Sequence, residues 1–306
     1  MSSYRWVTYC VSRLTIHPGG PRQGLPVAVL LGSRGITLSS VSDSSNAGSV
    51  VDGAPEPLPL TGERTVPGIA EENYWFRRHE VVYEHLRDRC AGKVVLEAGS
   101  GEGYGANMIA DVATSVVGLD YDASAAAHVL TRYPRVGMLR GNLAQLPLAD
   151  DSIDVVVNFQ VIEHLWDQAQ FLAECHRVLA PGGVLLISTP NRITFSPGRD
   201  TPLNPFHTRE LNAAELTELL GDARFTVETM TGVHHGSVLR ALDTKHGGSF
   251  IDAQIERALA GEPWPDDLTA DVAGIRSCDF DIRTSDIDAS LDLVAVATKP
   301  ATSVSE

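Results

Sequence analysis

The feature that most restricts the fold of this chain is a regular alternation of short apolar segments with helical segments. Five apolar segments predict strands: residues 93–97, 115–120, 136–140, 153–159 and 184–188. The fourth is almost continuously apolar, as expected for a strand that is buried on both faces of a sheet. Such alternation predicts an α/β fold, in which helices cover both sides of a mostly parallel sheet.

Helical patterns separate and precede these strands. They are predicted at residues 73–90, 104–112, 123–131, 166–179 and 213–220. In the first, Trp75, Val82 and Leu86 fall near one face and the charged residues on the other. Two further strands are expected at residues 225–230 and 291–298, near the end of the chain.

The sequence also predicts a domain organisation. Residues 1–56 are dense in Gly, Pro and Ser and have little apolar periodicity, so we expect a flexible, disordered N-terminal extension. Residues 57–300 form one domain, followed by a tail at 301–306. Within the domain, residues 231–290 are too many for a turn, and we expect them to form a lid or a wall of the substrate site.

Charge and cysteine content exclude several classes of protein. The formal net charge is −15, and no basic run is long enough to attract a phosphate backbone, so a nucleic-acid partner is not expected. The four cysteines are scattered without a CxxC pair, which fits a reducing cytoplasm better than a disulfide framework or a thiolate zinc site. The apolar runs are also too short for a membrane span.

A glycine-rich turn follows the first predicted strand and opens a helix. It contains Gly99 and Gly101 and is preceded by Glu97. A carboxylate at this point would repel the pyrophosphate of a dinucleotide but suits a ligand with an ammonium and a sulfonium. Asp120 ends the next strand, about 20 residues further on, where an acidic side chain can bind ribose hydroxyls.

From residue 61 to 298 the chain resembles the class I S-adenosylmethionine-dependent methyltransferases. The resemblance implies a Rossmann-like, seven-stranded, mostly parallel sheet whose last strand is antiparallel, and S-adenosylmethionine as the cofactor. It rests further on the turn Gly141-Asn142-Leu143-Ala144 and on the segment Arg177 to Gly183. The residues expected to contact the cofactor are Trp75, Glu97, Gly99, Gly101, Tyr104, Asp120, Tyr121, Asn142, Leu143 and Gln160.

Two of these assignments carry alternatives. Asn142 stands where the family usually has Asp, so its carbonyl could accept the adenine amino proton or its amide could donate to a ring nitrogen. Trp75 is expected either to line the cofactor pocket or to be a buried packing residue.

Methyl transfer to a hydroxyl requires a group that removes the proton as the new bond forms. Glu163 and His164 directly follow the fourth strand, and His207 follows the fifth, so all three are catalytic candidates at the carboxyl edge of the sheet. The alternative for each is a structural role in its loop. His234, His235 and His246 lack a convincing ligand spacing, and no metal site is predicted.

The acceptor is predicted by exclusion and by resemblance. Enzymes that methylate nucleobase amines have an Asn-Pro-Pro-Tyr motif after the fourth strand, whereas this chain has Asn158-Phe159-Gln160-Val161. Pyrimidine C5 methyltransferases use a cysteine nucleophile, and no cysteine occupies that position here. The segment 61–68 and the later Ser-Thr-Pro-Asn and Asn-Pro-Phe-His motifs resemble a bacterial subfamily associated with polysaccharide and glycolipid biosynthesis, including mycobacterial members linked to methylglucose lipopolysaccharide.

This resemblance implies O-methylation of a sugar hydroxyl, in an oligosaccharide or glycolipid. One alternative is O- or N-methylation of a small quinol, phenol or amine. The other, from a different class, is a protein that binds the cofactor and regulates without turnover.

Overall fold

The computed structural model describes residues 64–301 continuously, together with Leu58 and two short segments. These segments, Leu30–Leu31 and Ile36–Thr37, pair as a small antiparallel ladder. Apart from the ladder, the predicted extension over 1–56 lies outside the described residues, as does most of the tail over 301–306.

Eight strands form the main sheet. They are β1 (Val94–Ala98), β2 (Ser115–Asp120), β3 (Val136–Arg140), β4 (Ile153–Phe159), β5 (Leu179–Pro190), β6 (Thr226–His235), β7 (Phe280–Arg283) and β8 (Asp292–Thr298). Their order across the sheet is β3-β2-β1-β4-β5-β8-β6-β7. Strands β1 to β5 are parallel, β8 is antiparallel to both β5 and β6, and β7 is antiparallel to β6. The predicted α/β fold with an antiparallel last strand is confirmed.

The sheet has one strand more than the seven predicted. The additional strand is β7, which pairs with the end of β6 and lies inside the segment predicted as a lid or wall. Its sequence, Phe-Asp-Ile-Arg, contains two charged residues, and of the four only Phe280 is buried. A four-residue edge strand with this composition gives no signal that separates it from a loop.

Nine α-helices are found among the described residues. They are α1 (Asn73–Leu86), α2 (Tyr104–Ile109), α3 (Ala123–Arg132), α4 (Gln168–Val178), α5 (Arg192–Phe195), α6 (Ala213–Asp222), α7 (Ser237–Lys245), α8 (Phe250–Ala260) and α9 (Asp266–Gly274). Asp122, Asp167 and Asn212 begin α3, α4 and α6 by accepting backbone N–H groups of the first turn. No helix in this described part is long and apolar enough to cross a membrane.

The central strands are apolar on both faces, which explains their nearly unbroken hydrophobic sequence. Val95 and Val155 belong to one buried cluster, whereas their chain neighbours Leu96 and Val156 belong to another. Because alternate residues of a strand point to opposite faces, these clusters lie on the two sides of the sheet. Helices cover both, so polar loops are left at the strand ends, where a ligand can bind.

Helix α1 departs from the predicted pattern of charges on its outer face. Arg78 is 3% exposed and donates two hydrogen bonds to the carboxylate of Asp292 on β8, at 2.6 and 2.7 Å. It also donates to the carbonyl of Leu291 at 2.9 Å. The buried ion pair fixes α1 against the end of the sheet, where the parallel strands end.

The segment 231–290 packs against α1. Tyr74 of α1 is fully buried among the rings of Phe250, Phe280 and His235. Asn73 donates to three backbone carbonyls at the end of α9 and just beyond it. The segment is therefore folded onto the helix that borders the candidate site, and its role as a lid or wall stays a prediction.

Candidate active site

Two cavities meet at the carboxyl edge of the parallel strands. The larger has a volume of about 690 Å³ available to water-sized molecules and is bounded by the glycine turn and the ends of β2, β3 and β4. The smaller has a volume of about 70 Å³ available to water-sized molecules and lies between α1, the loop after β4 and the loop after β5. We refer to them below as the cofactor cavity and the acceptor cavity.

The glycine turn brings the backbone close to the floor of the cofactor cavity. Gly99 has φ +89°, and a Cβ atom built there would lie 2.6 Å from the side chain of Val161. The N–H groups of Gly99 and Ser100 both donate to the carbonyl of Leu119, at 2.8 and 3.0 Å. The turn is thereby tied to the end of β2, and no residue with a side chain would fit at position 99 without displacing Val161.

Asp120 lines the cofactor cavity at the end of β2. One carboxylate oxygen accepts from the N–H of Gly101 at 2.8 Å, and the other accepts from the N–H of Asp122 at 2.9 Å. These bonds hold the carboxylate in place. Because each carboxylate oxygen has a second lone pair, Asp120 can still accept hydrogen bonds from the ribose hydroxyls of a ligand, the role predicted from its position in the sequence.

Glu97 lies beneath the glycine turn and not in the cavity wall. It is 1% exposed and accepts hydrogen bonds from the hydroxyls of Tyr83 at 2.8 Å and Ser100 at 2.7 Å. Burial is the main cause that raises its pKa from 4.5 to about 7. In its ionised form the carboxylate favours a cation above the turn through its charge, but it does not point directly at the ligand as the sequence suggested.

The other residues expected at the cofactor surround the same cavity, with one exception. Gly101, Tyr104, Tyr121, Asn142, Leu143 and Gln160 all line it. The side-chain oxygen Oδ1 of Asn142 accepts from the N–H of Ala144 at 2.9 Å, which favours the side-chain NH₂ as the group that would meet an adenine ring. Trp75 is the exception, because it borders the acceptor cavity and not the cofactor cavity.

Gln160 marks the boundary between the two cavities. It directly follows β4 and has φ +57°, a conformation that residues with a side chain seldom adopt. Its N–H donates to the carbonyl of Ser188 on β5 at 2.9 Å, which holds the unusual turn in place. Such local strain is typical of functional sites, and here it exposes a residue that contacts both cavities.

Five residues line both cavities, and sequence reasoning found only two of them. They are Arg64, Thr65, His79, Gln160 and His164. His79 is on α1, within hydrogen-bonding distance of the hydroxyls of Thr65 and Tyr104, both at 3.4 Å. Burial lowers the pKa of His79 to about 4, so its imidazole is neutral at physiological pH. Its position on α1 gave no sequence signal, because its contacts come from other parts of the chain.

The three predicted catalytic residues line the acceptor cavity together. The rings of His164 and His207 pack edge to face with their centroids 4.8 Å apart. Glu163 is 1% exposed, accepts from the hydroxyl of Thr189 at 3.0 Å, and lies 3.9 Å from Nε2 of His164. Burial is the main cause that raises the pKa of Glu163 to about 7.

Hydrogen bonds assign different roles to the two histidines. Nδ1 of His207 lies 2.6 Å from the carboxylate of Glu210, and its Nε2 accepts from the amide of Asn204 at 3.0 Å. The side-chain orientation of Asn204 is fixed because its oxygen Oδ1 accepts from the N–H of Phe206, which leaves the NH₂ group facing His207. Both ring nitrogens of His207 are thus used inside its own loop, which indicates a structural role.

His164 is held in a different way. Its Nδ1 lies 3.1 Å from the carbonyl of Phe206, and because a carbonyl only accepts, Nδ1 carries the proton. The lone pair is therefore on Nε2, as a general base requires. Ligand atoms of Glu163, His164 and His207 lie within 4.8 Å of one another, but both ring nitrogens of His207 already have partners, Glu210 and Asn204. The geometry favours an acid–base site.

The charges in the cofactor cavity fit S-adenosylmethionine. Among the described residues that line it, the carboxylates are Glu102, Asp120 and Asp167, and the single arginine or lysine is Arg64. The cofactor has an ammonium, a sulfonium and one carboxylate. An excess of carboxylates over cations suits this ligand, whereas a dinucleotide pyrophosphate would be repelled.

Comparison with known proteins gives relatives along most of the chain. Residues 96–187 match a family model described as a methyltransferase domain. A protein of Mycolicibacterium smegmatis, described as a probable S-adenosylmethionine-dependent methyltransferase, is 70% identical over 249 residues, which cover 80% of this chain and 97% of the relative. A protein of Mycobacterium tuberculosis with the same description is 60% identical over 263 residues, which cover 85% of this chain and 96% of the relative.

Solved structures show the same fold at much lower identity. A chain from the complex between the Haloferax volcanii Trm112 methyltransferase activator and a methyltransferase superposes with a TM-score of 0.52. It is 19% identical, and the match covers 73% of this chain and 91% of that chain.

Proposed function

This chain belongs to the class I S-adenosylmethionine-dependent methyltransferases, and from that premise we propose that it methylates a sugar hydroxyl in a polysaccharide or glycolipid. The glucosyl units of methylglucose lipopolysaccharide are the specific acceptor we propose. The resemblance of residues 61–68 and of the Asn-Pro-Phe-His motif to a subfamily of such pathways supports this choice.

The observation that carries the proposal is the composition of the acceptor cavity. Trp75 and Phe195 provide aromatic surface, while Asn204, Arg78 and His164 provide polar groups. A sugar ring has apolar C–H faces and a rim of hydroxyls, so it matches a wall of this mixed kind. A quinol or phenol would use the aromatic surface but would bring fewer hydroxyls to the polar groups of this wall, which makes it the second candidate.

His164 is the residue we propose as the general base. It borders both cavities, so an acceptor hydroxyl beside it would also face the cofactor. S-adenosylmethionine supplies a methyl group that is activated by the positive sulfonium. A hydroxyl that takes this methyl group, with S-adenosylhomocysteine as the leaving group, would pass its proton to Nε2 of His164.

Glu163 and His207 then support His164. The buried carboxylate of Glu163 lies 3.9 Å from Nε2 of His164, close enough to stabilise the imidazolium formed when the proton arrives. His207 packs edge to face on the same ring, and its loop provides the carbonyl of Phe206 that orients Nδ1. We therefore expect loss of His164 to remove the base, and loss of His207 to disturb its position.

The test is methyl transfer to a panel of glucosyl oligosaccharides, quinols and amines, followed by product mapping on the accepted class. We expect a methyl ether on a sugar, and a His164→Ala variant with kcat lower by about 10²–10⁴-fold. Affinity for S-adenosylhomocysteine should be unchanged in that variant. Turnover confined to amines or quinols would refute the sugar assignment, and full kcat in His164→Ala would refute the base. If no acceptor is turned over despite tight cofactor binding, a regulatory protein becomes the better hypothesis.

A further inference from the structure

Arg64 contains a buried nitrogen that no group in the described part of the chain satisfies. Its side chain is 10% exposed, and its Nη2 donates to the carboxylate of Asp122 at 2.6 Å. The other terminal nitrogen, Nη1, is buried and has no hydrogen-bond partner there. A buried donor without an acceptor costs about 1–3 kcal/mol, and more when it is charged, so such an atom indicates a missing ligand.

The position of Arg64 restricts which part of a ligand it can meet. Its Cβ lies 4.0 Å from where a Cβ of Gly101 would be, so it runs beside the glycine turn. It also borders the acceptor cavity, on the side where the methyl group must be transferred. In S-adenosylmethionine the sulfonium lies between the ribose and the amino-acid chain, so the part next to the reacting centre and away from adenine is the amino acid.

Charge then identifies the group. Arg64 is the single arginine or lysine among the described residues that line the cofactor cavity, and the cofactor has a single negative group, its carboxylate. Asp122 accepts a hydrogen bond from one side of the guanidinium, and the other side is left to donate to an anion. We propose that Arg64 binds the carboxylate of the cofactor's amino-acid part, through a charge-assisted hydrogen bond from Nη1.

The proposal rests on the cofactor and not on the sugar acceptor. It is tested by isothermal titration, without any acceptor, of two ligands: S-adenosylhomocysteine and its decarboxylated analogue, which keeps the amine. We expect Arg64→Ala to weaken binding of S-adenosylhomocysteine roughly 10- to 100-fold, the range for loss of a hydrogen bond between charged groups. Binding of the decarboxylated analogue should change less than about two-fold, because it lacks the carboxylate.

Two further variants make the result specific. Asp122→Asn keeps the guanidinium but weakens its anchor, so it should give a smaller loss that is again confined to the carboxylate-bearing ligand. Arg135→Ala removes an arginine from an exposed ion pair with Asp111, away from the cavity, and should leave both affinities unchanged. If Arg64→Ala does not fold, Arg64→Lys carries the same comparison, because an ammonium cannot reproduce the planar guanidinium between two carboxylates.

If Arg64→Ala weakens the binding of both ligands equally, the proposal is overturned, since Arg64 would then only stabilise the fold of the cavity. Unchanged binding of both ligands would also overturn it. If the variant then shows a raised KM for the acceptor alone, Arg64 recognises an anionic group of the acceptor. None of these results depends on whether the acceptor is a sugar, so a failure here is distinguishable from a failure of the proposed function.

Discussion

Replacing Glu97 by glutamine is expected to stabilise the protein at alkaline pH and not at acidic pH. The pKa of Glu97 is raised to about 7 in the folded state, mainly by burial, against 4.5 without that burial. Between these values the folded protein holds a proton that the unfolded chain has released, so the free energy of unfolding falls as pH rises. Below pH 4.5 both states are protonated and Glu97 makes no pH-dependent difference.

The size of the effect follows from the same values. A rise from 4.5 to about 7, at about 1.4 kcal/mol per pKa unit, gives a cost of about 3 kcal/mol once Glu97 is ionised. Glutamine keeps one oxygen that can accept from Tyr83 or Ser100, while the other hydroxyl must rotate to accept from the new amide. A poorer hydrogen bond offsets the gain by about 1 kcal/mol. We therefore expect Glu97→Gln to be about 2 kcal/mol more stable than the parent protein above pH 8.

The assay is urea unfolding of both proteins near pH 5 and near pH 8.5. Glu72 and Glu163 also have pKa values raised to about 7 by burial, but they are present in both proteins and cancel in the difference. The control is Glu102→Gln, in the same turn, whose carboxylate contacts His128 and Tyr133. It should destabilise the protein at both pH values. A Glu97→Gln variant that is less stable at pH 8.5 than at pH 5, relative to the parent, would refute the reasoning.

Three other predictions concern the cofactor, the fold and the N-terminal region. Asp120→Ala should weaken S-adenosylhomocysteine binding by about 10-fold or more in isothermal titration, because a charged acceptor for ribose hydroxyls is lost, and unchanged affinity would remove Asp120 from the site. Asp292→Ala should lower the free energy of unfolding by about 3–5 kcal/mol, since it leaves Arg78 charged, buried and unpaired. Deleting residues 2–55 should leave the melting temperature and cofactor affinity intact, as their composition predicts, and a large drop in either would contradict this.

Features that depend on neighbours along the chain were predictable from the sequence. The strand at Ile153–Phe159 was predicted at its observed bounds because a seven-residue segment that is mostly apolar is typical of a strand buried on both faces. The glycine turn and Asp120 were found for a similar reason. Glycine is required where the backbone turns sharply, and the spacing to the next strand end follows from the lengths of the helix and strand between.

Features that depend on distant contacts were not predictable. Arg78 looked like an outward-facing charge because its partner, Asp292, lies 214 residues further along the chain. Arg64 precedes the first helix in a segment with no periodicity, and its proposed role rests on a buried, unsatisfied nitrogen in a residue that lines both cavities. His164 and His207 were equivalent as sequence candidates, and the hydrogen bonds of Asn204 and Phe206 distinguish them.

The two cavities share five residues, but the rest of each lining comes from a different part of the chain. The cofactor cavity draws on the glycine turn and the loops after β2, β3 and β4, whereas Phe195, Asn204 and His207 of the acceptor cavity come from the loop region after β5. Selection or engineering could therefore exchange residues 195–204, which leaves Phe206 and His207 beside His164, to alter acceptor preference while cofactor affinity is preserved. A chimera with this loop from a methyltransferase of different specificity would keep its methyl donor and acquire a new product.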